Sequence, residues 1–293
     1  MEPISDVASA DWLRPLLDPS ARDMHCVVPH GYQSYARVFH PATRDRPADT
    51  GTWRGHSRPT AAEIDVESVP WSRVAIAFGT SMHPLAQFHR LLRPQSVEYR
   101  EVIDAAGWRY GQPLPGNLDV HVLARLASIV SRHTTSPHSG MAAVWEGWGG
   151  LTSPVGVSRL ILVDADTTSA VPPSGEGGGS GLLPAAVVNG PRLELPGRAH
   201  FLFSVAPIGF ASPGWVRTAP WTLDAHWPQS PSLIWPADRA WTLVTEIDFD
   251  STIIGGTQNL ISQIVADPGI EALQIPEGAD LTWDADEPNR PTS

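Results

Sequence analysis

Glu246, Asp248 and Asp250 alternate with apolar residues in Ala240-Trp241-Thr242-Leu243-Val244-Thr245-Glu246-Ile247-Asp248-Phe249-Asp250. At strand period, Trp241, Leu243, Ile247 and Phe249 point one way and the three acids point the other. Like charges held on one face repel unless water, arginine or a cation screens them. Hard carboxylate oxygens suit Mg²⁺ or Ca²⁺, and a metal-assisted hydrolase could draw on His133 or His40 nearby. The same face also reads as the wet side of an antiparallel strand, or as partners for Arg192, Arg198 or Arg239. No resident cofactor is implied beyond that optional cation.

A second group is aromatic. Trp145-Glu146-Gly147-Trp148-Gly149-Gly150 is the densest tryptophan cluster in a chain with 12 of them. Two indoles flanked by glycines can expose flat faces, as a ligand pocket or a docking surface needs. Trp145, Glu146, Trp148 and Trp241 are therefore the candidate binding residues. The alternative is that tryptophans fill the core and support irregular loops.

Other motifs are weaker. Asp164-Ala165-Asp166-Thr167-Thr168 and Asp248-Phe249-Asp250-Ser251-Thr252 each resemble the first motif of haloacid-dehalogenase-type phosphotransferases. That resemblance implies a nucleophilic first Asp, an acid/base second Asp and Mg²⁺. It covers five residues, and only 45 residues follow Asp248. Eleven histidines include no His-Glu-x-x-His pattern. His25, His30 and His40 could converge in space, although nothing in their spacing requires it. His133 follows the strongest helix, where an imidazolium would meet the negative end of the dipole. No Gly-x-Ser-x-Gly elbow occurs.

Composition narrows the function classes. The formal net charge is −11 and is unevenly spread. Residues 1–150 carry 14 Arg against 15 acids, whereas residues 151–293 carry 6 Arg against 16. That surface repels phosphate backbones, so nucleic acid is not expected as a partner; a basic protein is. There is no lysine, which excludes Schiff-base chemistry and a P-loop lysine. Cys26 is the lone cysteine, so no intrachain disulfide forms. No signal peptide and no bilayer-length apolar run is legible, which leads to a cytoplasmic, non-membrane expectation.

The elements follow from periodicity. Helices are expected over Ser9–Asp18, Pro70–Phe78, Pro84–Leu92, Leu118–Arg132 with Asn117 as cap, and Thr257–Ala266. Strands are expected over Tyr35–His40, Met141–Trp145, Val157–Val163, Arg192–Leu195, Ala199–Val205, Ala240–Phe249 and Ile270–Ile275. Pro196-Gly197 makes a hairpin of the Arg192 and Ala199 strands. Residues 42–60 and 167–190 read as flexible loops, and the tail after Pro276 as frayed. This order predicts one α+β domain, with a mostly antiparallel sheet from the C-terminal half packed on helices drawn mainly from the N-terminal half.

Gly31-Tyr32-Gln33-Ser34-Tyr35-Ala36-Arg37-Val38-Phe39-His40-Pro41, Ala143–Gly149, Arg192–Arg198 and Ser232–Leu273 together resemble a group of actinobacterial proteins with no assigned activity. That resemblance implies one co-linear unit and carries over no catalytic residue. The sequence alone thus leads with a non-enzymatic, immunity- or adaptor-like binding protein. A metal-assisted hydrolase and a binder with a tryptophan-lined pocket are the alternatives.

Overall fold

The computed structural model describes residues 1–55, 63–92, 102–152, 181–225 and 227–291. The expected Val157–Val163 strand, the Asp164/Asp166 motif and the glycine-rich stretch as far as residue 180 lie outside them. The described strands are β1 (Glu2–Pro3), β2 (Ser34–Phe39), β3 (Ala42–Pro47), β4 (Ile64–Val69), β5 (Arg109–Gly111), β6 (Gly140–Trp145), β7 (Leu193–Leu195), β8 (Arg198–Val205), β9 (Leu233–Pro236), β10 (Thr242–Val244), β11 (Ser251–Gly256) and β12 (Ala272–Ile275). The described helices are α1 (Trp71–Phe78), α2 (Phe88–Leu91), α3 (Val120–Val130), α4 (Ala185–Val188) and α5 (Gln258–Val265).

Nine strands form one antiparallel sheet in the order β1-β8-β6-β9-β10-β11-β2-β12, with β7 also paired to β8. The fold is α+β, as expected. β7 and β8 pair as the hairpin that Pro196-Gly197 predicts. The N-terminal half also supplies the sheet: β2 lies between β11 and β12, and β6 between β8 and β9.

Both faces of this sheet are covered, which is visible as strict alternation. Ala36, Val38, Ala142, Val144, Phe201, Phe203, Leu243 and Ile254 meet α3 and α5 on one side. Tyr35, Ala143, Leu202, Trp235, Val244 and Ile253 meet Ala10, Leu13 and Met24 of the N-terminal segment on the other. Leu260, Ile261 and Ile264 of α5 are fully buried, each stabilising the packing by about 1.5–3 kcal/mol. The expected Ser9–Asp18 helix is instead a 3₁₀ segment, Val7–Leu16, with Pro15 inside it. Asp119 caps α3, accepting from the N–H groups of His121 and Val122. Asn117 reaches away to Pro228 and Ser230.

Residues 42–60 are not all loop. Ala42–Pro47 is the middle strand of a small sheet, ordered β4-β3-β5. Its charges misled the sequence reading because they are paired rather than solvated. Arg44 and Arg46, two residues apart on one face, each stack on Trp108 at 4.1 Å. Asp45 is gripped by Arg109, which covers Trp53. Beneath this sheet, Phe39, Trp71, Val74 and Phe88 form a separate core with α1 and α2.

The tail after Pro276 is packed, not frayed. Asp286 is fully buried and accepts from His83 Nε2 at 2.7 Å, Gln87 N–H at 3.0 Å and Asn289 N–H at 3.1 Å. Asn289 in turn exchanges bonds with the backbone of Ser81. Polar side chains that suggest a loose tail are the groups that fasten it. No helix among the described residues is long and apolar enough to cross a membrane.

Candidate functional site

The segment carrying the three acids is not one strand. β10 ends at Val244, the chain turns at Ile247-Asp248, and β11 begins at Ser251. The cause lies in the sheet. β10 is a central strand, with Leu243 buried on one face and Val244 on the other, so it has no wet face. Carboxylates continued along it would be buried without solvent, a cost the chain avoids by turning out. The turn is closed by Phe249 N–H donating to Glu246 O and by the Thr245–Thr252 hydroxyl pair at 2.8 Å. Gly116 supports it from outside. Its N–H donates to Phe249 O, and a Cβ there would lie 2.5 Å from the Ile247 Cα.

Two arginines divide the acids between them. Arg198 donates to Glu246 at 2.9 Å and also to the exposed Asp248. Arg37, buried in β2, takes Asp250 at 3.2 Å. The trio therefore does not converge as a cation site, and the structural alternative naming Arg198 describes two of its members.

Asp250 lines a cleft of about 350 Å³. Phe88, Phe249, Leu281 and Trp283 give it apolar walls, and Gln87 and Gln112 add amides. The volume lies in the range of small-molecule sites. Arg37 forms its floor and is nearly saturated. Nε donates to Ser251 Oγ, Nη1 to the carbonyls of Pro84 and Ala86, and Nη2 to Asp250 Oδ1. Four of five N–H donors are thus committed, so this guanidinium positions Asp250 and is not a free anion receptor. The π-faces of Phe39 and Trp71 lie 4.8 and 5.5 Å from it.

Asp250 and His89 of the cleft are perturbed, as is Asp286, which accepts from the Gln87 backbone. Burial opposes ionisation of Asp250, outweighs the attraction of Arg37, and raises its carboxyl above the usual value. His89 stacks on Trp283 with ring centroids 3.5 Å apart; burial, then Arg90, pulls it down to about 4, so the ring is neutral. At Asp286 burial opposes ionisation, but the bonds from Gln87, Asn289 and His83 outweigh it and lower the pKa. Gln87 Nε2 is buried with no hydrogen-bond partner.

The other residues named from sequence lie elsewhere. Trp241 is buried in the sheet core and cannot be a surface anchor. Trp145 and Trp148 pack edge to face at 6.0 Å, and Gly147 is required because a Cβ would strike the Trp145 ring. Glu146 pairs with Arg192 at 3.0 Å. Arg198 also covers Trp145, so the acid turn and the Trp-Gly cluster do meet, through that guanidinium. His133 instead bonds Gln263 of α5. Arg239 has φ 55° and stacks over Trp12. His40 is buried and neutral, pushed by burial to about 4; its Nδ1–H donates to Leu114 O and its Nε2 accepts from Thr252.

Sequence reasoning missed Arg37, His89, Trp283 and Asp286. A signal for Arg37 was present: one charge inside Tyr35-Ala36-Arg37-Val38-Phe39, a strand whose every position is buried. No protein-family model, no curated protein and no solved structure matches this chain. The antiparallel order also gives Asp248 no place at the end of a parallel strand, where a phosphotransferase of the resembled type carries that motif.

Proposed function

We propose that the protein binds a small molecule in the cleft beside Asp250, and that the ligand has a flat apolar body and a protonated amine. The observation that carries this reading is the Asp250 carboxyl, fixed by a buried, nearly saturated arginine in an aromatic-walled cleft that the exposed Asp248 also lines. A cation brought to Asp250 would add to Arg37 in favouring the ionised carboxylate against burial. Trp283 and His89 offer a stacked pair at the wall. The acidic second half steers a cationic ligand towards this region.

The test pairs tryptamine with indole-3-acetate in thermal-shift and calorimetric titrations. Tryptamine is expected to bind and stabilise the fold, and indole-3-acetate is not. Asp250→Asn should abolish the difference. Equal binding of both compounds, or of neither, overturns the reading. A second reading, docking of a basic protein, draws on the exposed Asp248 and Trp283 at the mouth; an arginine-rich peptide in the same titration separates it.

A further inference from the structure

Away from that cleft, His25, His30 and Glu277 bring three metal-ligand atoms within 4.8 Å of one another. We propose that these residues form a zinc-binding site that staples the turn after Met24 to the segment following β12. The residues come from distant parts of the chain. His25 lies in the 3₁₀ turn Met24–Cys26, His30 follows it, and Glu277 comes two residues after β12 ends. Glu277 Oε1 stands 3.9 Å from His25 Nε2 and 3.7 Å from His30 Nδ1. Tetrahedral zinc, at about 2.0–2.1 Å from each donor, holds donors roughly 3.4 Å apart, so the Glu277 oxygen must close a few tenths of an ångström towards each imidazole and the two imidazole nitrogens, within 4.8 Å of each other, must also approach.

His25 is already oriented for this role. It is buried, and its Nδ1–H donates to Val28 O at 2.9 Å. That bond fixes the tautomer and leaves the Nε2 lone pair facing Glu277, the outer-partner arrangement that metal-bound imidazoles use. In the structure Nε2 accepts from Gly278 N–H at 3.2 Å. An ion takes over that lone pair, so binding moves the Glu277-Gly278 turn. His30 and Glu277 are 45% and 56% exposed, which lets both side chains adjust and leaves the site open to solvent. The imidazole rings stack at 3.5 Å with 21° between their planes, so His30 must rotate to aim its lone pair at the shared ion. Two imidazoles and one carboxylate favour Zn²⁺ over Mg²⁺ or Ca²⁺, and the fourth position falls to water.

The test is calorimetric titration of untagged protein with Zn²⁺ and, separately, Mg²⁺. One zinc per chain is expected, with a rise in melting temperature and no saturable Mg²⁺ binding. His30→Ala and Glu277→Gln alter exposed side chains, so each should keep the native circular dichroism spectrum. Each should weaken zinc by about 100-fold, since loss of even an outer partner costs about 10–100-fold. Co²⁺ should give the visible absorption of a four-coordinate site, lost in both variants. Absence of saturable zinc binding, or zinc binding unchanged in both variants, overturns the proposal.

Discussion

Arg37 and Arg198 both hold carboxylates of one short turn, yet they stand in opposite environments. Arg198 is part-exposed, bridges a largely buried Glu246 to an exposed Asp248, and covers Trp145. Arg37 is buried beneath Asp250, with its donors spent on a hydroxyl, two carbonyls and one carboxylate oxygen. The difference teaches how position in a sheet decides what a charge can do. The exposed Asp248 end of the Arg198 pair is screened and exchangeable with water. A fully buried guanidinium cannot be rearranged cheaply, so Arg37 fixes the turn and holds the part-exposed Asp250 carboxyl facing the cleft.

The comparison breaks first at Arg37. Arg37→Ala leaves Asp250 and two carbonyls without their donor and should cost about 3–5 kcal/mol in urea unfolding. Arg37→Met with Asp250→Leu should recover most of that loss, because removing both charges also removes their desolvation. If the single variant costs under about 1 kcal/mol, the two arginines are equivalent and the contrast is wrong.

Acid pH tests both sides together. His40 donates its backbone N–H to Asp250 O on the Arg37 side, and His200 lines a small hollow with Arg198 and Glu246 on the other. Burial depresses both imidazoles to about 4 from 6.5. The unfolded chain therefore takes up protons that the fold refuses. The stability these rings contribute is complete above pH 6.5 and is lost as pH falls towards 4, by up to about 1.4 kcal/mol per pH unit for each ring. His40→Gln and His200→Gln should each flatten that slope in melting experiments from pH 7 to pH 4.5.

The fastening of the C-terminal segment supplies a smaller effect. Asp286→Ala removes the acceptor for His83, Gln87 and Asn289 and should cost about 1–3 kcal/mol. Hydrogen exchange should then rise in residues 281–291 while β2 stays protected. Asp248→Asn, which removes only the exposed end of the Arg198 pair, is expected at the bottom of the scale, about 0–1 kcal/mol, and its effect should shrink further in 0.5 M salt, roughly a Debye length of under 5 Å.

Much of the fold was legible because its pattern is two-sided and regular. Leu260, Ile261 and Ile264 announce α5, and Ala142 to Val144 announce β6, by spacing alone. The candidate site was only half legible. Asp250 was found by its charge, but alternation carried the strand past Val244 into a turn, since period-2 reading cannot tell a wet face from a central strand covered on both sides. Arg37, Asp286 and the Arg44–Trp108–Arg46 stack were hidden for one reason: paired buried charges look, in sequence, like solvated ones. Trp283 was set aside with a tail whose fastening, through Asp286 and Asn289 to Ser81, depends on residues about 200 positions away.

The account rests on Asp250 meeting a cationic ligand in the cleft. Carbon NMR titration of the Asp250 carboxyl, with and without saturating tryptamine, measures that contact at the atom concerned. The free protein should show a pKa above 3.8, and tryptamine should lower it and shift the resonance. An Asp250 pKa at or below the ordinary value, or a carboxyl resonance indifferent to tryptamine, would contradict the account.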